Sequence, residues 1–382
     1  MQRKPRVLDL FCGIGGLSLG LQNAGLSPLG GVDRWGEALD TFRHNHHGVK
    51  CLEADITVLS AACICSEFSI TVPEIDVIVG GPPCQGFSTV GKRDTADPRN
   101  LLWESFHQLV AEIRPAYVVI ENVEGLNVIE MGGVRDRILK QFGRIGYRIK
   151  AELLRAADFG VPQLRKRMVF LGCLDGLAEP EFPRPACVEH VSVAEAIFDL
   201  PPLSSRQAKT AYESEPSTPY QLARRKDCQL LHNHEAANHP PELVEILRHI
   251  PDGGNRKSIP DDLQPRSGFH NSYARLASWK PAIAVTSNMR KPSSARATHP
   301  VQNRGLTVRE GLRLQSFDDD FVVLGSRTSQ YLQVGNAVPP LLGLAVGREV
   351  LKAFQANTAD QLAAARTRRG SPKPHGVKQS SP

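Results

Sequence analysis

Arg6-Val-Leu-Asp-Leu10 is an apolar run that empties directly into Phe11-Cys-Gly-Ile-Gly-Gly16 and then into the amphipathic stretch Leu17–Ala24. Strand, glycine loop and helix in that order constrain the fold more than any other feature of the chain. A parallel strand needs a crossover before its neighbour can pair with it, and a helix is the usual one. Gly25 stands where a helix closes in the left-handed conformation. The unit then recurs: a strand ends at Gly31-Val32-Asp33, and a helix is expected over Trp35–His44. Further buried strands are expected at Asp76–Gly80 and Tyr117–Asn122, with helices at Asn100–Ile113 and Val134–Phe142, and strands near Tyr147–Leu153 and Met168–Leu171. Residues 1–173 therefore read as an α/β domain, a mostly parallel sheet flanked by helices.

The texture changes after Gly172. From Leu200 to Pro300 the chain is rich in Pro, Ser, Asn and Gly and keeps neither period, so 174–299 reads as a smaller, loop-rich domain. It carries 14 Lys/Arg against 9 Asp/Glu between Pro201 and Pro300, a mild bias within a chain of net charge +6. That bias fits a nucleic-acid surface and a plain solvated surface about equally. Regularity returns at Leu306, where Thr307 and Glu310 have the spacing of a capping box, and Pro339 opens a helix over Leu341–Phe354. Residues 300–355 are expected to rejoin the first domain, and 356–382 to form a disordered basic tail. No apolar run approaches the roughly 20 residues of a membrane span, and the N-terminus lacks a signal-peptide layout, so a cytoplasmic protein is expected. The eight cysteines are then free thiols; Cys63 and Cys65 have no second pair to complete a zinc site, and no metal is expected.

The loop DLFCGIGG lets backbone approach a nucleotide-like ligand, but the third glycine of a dinucleotide fingerprint is replaced by Ser18. Asp33 ends the second strand, where an acid would accept ribose hydroxyls, and Asp55 is placed to meet an adenine amino group. An adenosine-type ligand and a tight turn without ligand both remain open on pattern alone. A second loop, Gly80-Gly-Pro-Pro-Cys-Gln-Gly-Phe-Ser88, fixes Cys84 behind two prolines at the end of a buried strand, an arrangement suited to a reactive thiol.

Gly81-Pro-Pro-Cys-Gln-Gly-Phe-Ser88 resembles the catalytic motif of the C5-cytosine-specific DNA methyltransferase family. The family's other motifs follow in order: Asp9–Gly16, Glu121-Asn-Val123, Gln163-Leu-Arg-Lys-Arg167, Leu306–Phe317 and Gln333–Pro340. The resemblance covers about residues 6–173 and 300–355, and 174–299 holds the position of the family's target-recognition domain. One departure is Asp318 after Phe317, where many members have proline.

The resemblance implies a Rossmann-like, S-adenosylmethionine-dependent fold acting on double-stranded DNA as a monomer, associated with the nucleoid through DNA. A restriction endonuclease partner is common in the family. It implies that Cys84 adds to carbon 6 of a cytosine, making carbon 5 nucleophilic enough to take a methyl group from S-adenosyl-L-methionine. An ordinary thiol is only about 3 % ionised at pH 7, so Arg167 is expected to favour the thiolate and bind the cytosine O2, with Arg165 supporting the loop. Glu121 is expected to donate a proton to N3. The cofactor would be held by Phe11, Gly13, Ile14, Gly15, Gly16, Asp33, Arg34, Asp55, Ile56, Pro82, Leu102, Asn336 and Ala337. Ser88, Thr89 and Arg167 would touch DNA, and Arg256, Asn271 and Arg290 are candidates for reading bases. Two other readings share these residues, a tRNA-acting branch of the family and a silent DNA-binding relative. His232-Asn-His234 imitates a nuclease motif without its remaining ligands, and His44-Asn-His-His47 is expected to cap a helix.

Overall fold

The computed structural model describes residues 3–83, 98–127, 133–186, 189–265, 272–293 and 298–368. Seven strands form one sheet: β1 (Arg6–Leu10), β2 (Ser27–Asp33), β3 (Lys50–Glu53), β4 (Val77–Gly80), β5 (Tyr117–Val123), β6 (Tyr147–Arg155) and β7 (Lys166–Leu174). Their order is β3-β2-β1-β4-β5-β7-β6. The first five are parallel, because a helix returns the chain after each: α1 (Gly16–Asn23), α2 (Gly36–Asn45), α3 (Ala61–Phe68) and α4 (Pro98–Ile113). After α5 (Gly133–Arg144), the direct connection from β6 leaves β7 antiparallel to both its neighbours. Val77, Ile78, Val79 and Tyr117–Ile120 are fully buried, which is why these strands are unbroken apolar runs rather than alternating ones.

β2 and β3 are laid down to one side of β1, and β4 returns to its other side. The loops after β1 and β4 therefore part at this reversal of strand order, the place where open α/β sheets leave a crevice.

The remaining helices are α6 (Val193–Ile197), α7 (Pro219–Arg225), α8 (Pro241–Arg248), α9 (Val308–Leu314), α10 (Arg327–Asn336), α11 (Pro340–Gln355) and α12 (Ala359–Thr367). A second core joins Val193, Ile197, Val285 and Met289 to Leu312, Phe317, Tyr331 and Val334. The expected boundary at 299 runs through this core: α9 and α10 belong to it, whereas Leu342, Val346, Val350 and Phe354 of α11 pack into the sheet's core. Guanidinium groups do here what ladders do elsewhere. Buried Arg275 donates to the carbonyls of Leu247, Ile250, His299 and Gln302, and buried Arg313 bridges Asp199 and Asp319. His234 and Asn233 are structural as well, bonding Thr307, Pro201 and the backbone of Val323.

Two expectations are corrected. The disordered tail does not begin at 356, because α12 buries Leu362 and Ala365, and Arg366 on it donates to the Ile75 carbonyl and to Asp76. His46 caps no helix by charge. It is buried, and burial pushes its pKa down to about 4 against the opposing backbone of Ile14 and Gly15, so it stays neutral.

Candidate active site

A cleft of about 790 Å³ opens over the ends of β1, β2 and β5 and is closed on its far side by the end of α10. Its lining includes Phe11, Gly13, Ile14, Gly16, Asp33, Arg34, Pro82, Glu121, Arg165, Arg167, Asn336 and Ala337, gathered from positions more than 320 residues apart. A narrower recess of about 80 Å³ adjoins it through Phe11, Asp33, Arg34 and Pro83 and is completed by Val32, Ala54, Asp55, Ile56 and Leu102.

The loop after β1 is shaped by its backbone. Phe11 has φ 69°, a left-handed conformation unusual for a bulky residue, and its N–H and that of Cys12 both donate to the Val32 carbonyl. The turn places Phe11 in the wall shared by cleft and recess. Gly15, expected to face a ligand, does not line the cleft. It has φ 84°, and a Cβ there would collide with the rings of His46 and Phe42. Gly15 is thus demanded by packing behind the loop. Gly16 does line the cleft, and a Cβ on it would strike the Val338 carbonyl, so the glycine admits the segment after α10.

Asp33 holds the loop from beneath. Its Oδ2 accepts from the Gly13 N–H at 2.8 Å and its Oδ1 from the Trp35 N–H at 3.0 Å. Burial raises its pKa, and the backbone donors of Gly13, Trp35 and Arg34 oppose that rise. Each carboxylate oxygen keeps a lone pair for a further donor. Asp55 has committed Oδ1 to the N–H and hydroxyl of Thr57, at 2.9 and 2.8 Å, which fixes the edge of the recess.

At the other end of the cleft, Arg167 Nε lies 2.5 Å from Glu121 Oε1, with both side chains about seven-eighths buried. The contact is close, yet among the described residues Oε1 accepts no well-aligned hydrogen bond. Two groups expected to act separately on a base are therefore engaged with each other. Antiparallel pairing sets Glu121 opposite Val169 and Val123 opposite Arg167, bringing both motifs to one rim. Asn122 donates to the Pro82 carbonyl at 2.8 Å and so pins the loop that leads to Cys84. Cys84, Ser88 and Thr89 lie outside the described residues, as does Asn271.

Arg165 supports a different element from the one expected. Buried in the cleft wall, it donates to the carbonyls of Val285 at 2.9 Å and Gly335 at 3.2 Å, and among the described residues its Nε has no partner. Burial lowers its pKa to about 9. Gln163 does the same work, reaching the Leu314 carbonyl and Gln315 and accepting from the Val285 N–H. Arg256 and Arg290 are occupied within the protein, by Gln264 and Thr328 respectively. Asp9, Trp35, Gln333 and Val338 also line the cleft and were not among the expected residues. Asp9 could have been found, since it opens the glycine motif.

The arrangement suits an adenosine-bearing ligand. The recess is walled by Phe11, Val32, Ile56 and Leu102, Asp33 offers acceptors beside it, and Gly13 and Gly16 line the cleft that adjoins it. Among the described residues no group of three or more His, Cys, Asp or Glu could hold a metal, and no helix is long and apolar enough to cross a membrane.

Residues 5–352 match the model of the C-5 cytosine-specific DNA methylase family. The chain is 42 % identical over 348 residues to the Type II methyltransferase M1.HphI of Haemophilus parahaemolyticus, covering 90 % of this chain and 86 % of that protein. It is 34 % identical to the Type II methyltransferase M.DdeI of Desulfomicrobium norvegicum, covering 91 % and 89 %. Among solved structures, a prophage-encoded E. coli protein described as a DNA modification methyltransferase shares the fold with TM-score 0.76 at 24 % identity, covering 92 % of this chain and all of that one. DNMT2 of Spodoptera frugiperda has a TM-score of 0.58 at 17 % identity, covering 92 % and 100 %.

Proposed function

Because the chain belongs to the C-5 cytosine-specific DNA methylase family, we propose that it methylates carbon 5 of a cytosine rotated out of duplex DNA, through a transient bond from Cys84 to carbon 6. One observation supports this reading: a single cleft joins the apolar-walled recess beside Asp33 to the Glu121–Arg167 pair, with Pro82 and Pro83 leading from its wall into Cys84.

S-adenosyl-L-methionine, when bound, supplies the methyl group; Phe11, Arg34, Asp55, Ile56 and Leu102 would hold its adenine, and Asp33 its ribose. The loop at Gly13–Gly16, with Pro82, Asn336 and Ala337, would bound the remainder. The target base must leave the stack, which costs a few kcal/mol. Once in the cleft, its O2 would draw the Arg167 guanidinium from Glu121. The Cys84 thiolate then forms a bond to C6, the C5–C6 double bond opens, and Glu121, which takes up a proton once the guanidinium has left it, passes that proton to N3. Carbon 5 takes the methyl group, N3 returns its proton to Glu121, a base removes the C5 proton, and the thiolate departs as the double bond re-forms. Arg165 and Gln163 keep the strand carrying Arg167 fixed against the second core. Ser88 and Thr89 would meet phosphates. We assign the protein to modification of DNA in the cytoplasm, as a monomer, in the manner of a Type II methyltransferase with a cognate endonuclease.

Incubation with S-adenosylmethionine labelled in the methyl group and mixed-sequence DNA should place label on cytosine C5. A Cys84→Ser variant should lose at least 10³-fold in rate, on the order expected for removing a nucleophile. Label on N4, or label persisting without the thiol, would overturn the mechanism; efficient competition by tRNA would redirect the substrate to RNA.

A further inference from the structure

Three described acids line the cleft, and Asp9 is the one to which the proposed reaction gives no task. It is 2 % exposed, near the end of β1, and flanked by Gly31 of β2 and Val79 of β4. Its Oδ2 accepts the Ser18 hydroxyl at 2.5 Å. Among the described residues no cation is paired with it; the charge that acts on it is that of Asp33, another acid. A buried carboxyl without a positive neighbour is costly to ionise. Burial first, and then Asp33, raise its pKa to about 7 despite the Ser18 hydroxyl, so it stands half-ionised at neutral pH.

Position suggests what completes it. The adenosine recess sits at the ends of β2 and its neighbours, and the Glu121–Arg167 pair at β5 and β7; β1 lies between β2 and β5 in the sheet. A sulfur that hands a methyl group from one end to the other must pass over β1. That sulfur carries a fixed positive charge before transfer and none afterwards.

We propose that Asp9 is the counter-charge for the sulfonium of S-adenosylmethionine, and that it makes the cleft prefer the methyl donor to the neutral thioether left after transfer. The inference rests on the reading of this cleft as the methyl-donor site. Titration calorimetry on the full-length protein, with S-adenosylmethionine and S-adenosylhomocysteine in turn, tests it. Asp9→Asn keeps an acceptor for Ser18 and removes the charge. It should weaken S-adenosylmethionine about tenfold, the equivalent of one buried charge contact of ~1.4 kcal/mol, and S-adenosylhomocysteine less than threefold. Ser18→Ala removes the hydroxyl that favours the charged form of Asp9, so the ratio of the two affinities should fall at pH 7 and regain the wild-type value at higher pH.

A second measurement uses the unmutated protein. The titratable groups facing Asp9 are Asp33 from β2 and the Cys12 thiol from the loop, which burial pushes up and keeps neutral. As pH falls from 8 to 6 the affinity ratio should shrink as Asp9 takes up its proton. Equal losses for both ligands in Asp9→Asn, no loss for either, or a pH-independent ratio would overturn the proposal. A wild-type protein that binds neither ligand would instead overturn the assignment of the cleft.

Discussion

Asp9 illustrates how a buried acid trades stability for a task. Its folded pKa of about 7 lies above the ordinary aspartate value, so folding favours the neutral form. The stabilisation this gives is complete below the ordinary value near pH 4 and is lost as pH rises through about 7. Asp9→Asn cannot lose it, so the melting temperature of the variant should exceed that of the wild type by a margin that widens from pH 5 to pH 8. On a raised pKa of this size the margin corresponds to a few kcal/mol; thermal melts across that range that keep a constant gap would refute it. At this scale the sequence revealed about half of the cleft's lining. Phe11, Asp33, Glu121 and Arg167 sit in short motifs whose neighbours leave them little freedom. It misplaced Gly15, because a glycine required by a histidine 31 residues away looks in sequence like one required by a ligand. The Glu121–Arg167 contact was hidden for a related reason: it depends on strand register between β5 and β7, which neither motif encodes alone.

The helices α2, α4, α5 and α11 and the strands with unbroken apolar runs were readable, whereas α10, α12 and most of the shorter elements were not. β3 is four residues, Lys50–Glu53, at the sheet edge with a polar residue at each end, so it shows no strand period. α6, α7 and α8 have five to eight residues each, too few for a helical stripe to emerge among prolines. The return of α11 to the first domain was expected, but neither its crossing on α1 nor the closeness of that contact was. Gly20 faces Gly343 across it, and a Cβ on Gly20 would run into the Pro340 carbonyl and the Gly343 backbone. Gly20→Leu should therefore force the helices apart and destabilise the protein by about 2–4 kcal/mol, read as a lower denaturation midpoint in urea. A midpoint within error of the wild type would show that the crossing has slack.

At the scale of the whole molecule, the stretch after α11 is a fastening on the sheet rather than a loose end. Asp76 is fully buried at the start of β4 and is reached by Arg3, by the N–H of Arg6 and by Arg366 of α12, while Arg114 donates to the carbonyls of Arg366 and Arg368. These contacts lie at the opposite end of the strands from the cleft. Removal of residues 359–382 should cost about 2–4 kcal/mol, from exposing the apolar surface that Leu362 and Ala365 cover and stripping Asp76 of one cation. The affinity for S-adenosylmethionine should stay within twofold. Parallel calorimetry and melting of the truncated protein would check both, and a large fall in affinity would mean that the far edge of the sheet is coupled to the ligand. The tail was misread because its composition past Thr367 is that of a disordered segment, and the helix before it is only nine residues long.

The meeting of α1 with α11 has a consequence for how the molecule is made. More than 310 residues separate Gly20 from Pro340, and the groove in α1 stays open until the later helix has left the ribosome. The face of α1 that meets α11 stays unpartnered until α11 has been made, and a contact so distant in sequence is entropically slow to close. Protection of α1 from proteolysis should accordingly arrive late and all at once, when the apolar stripe of α11 docks.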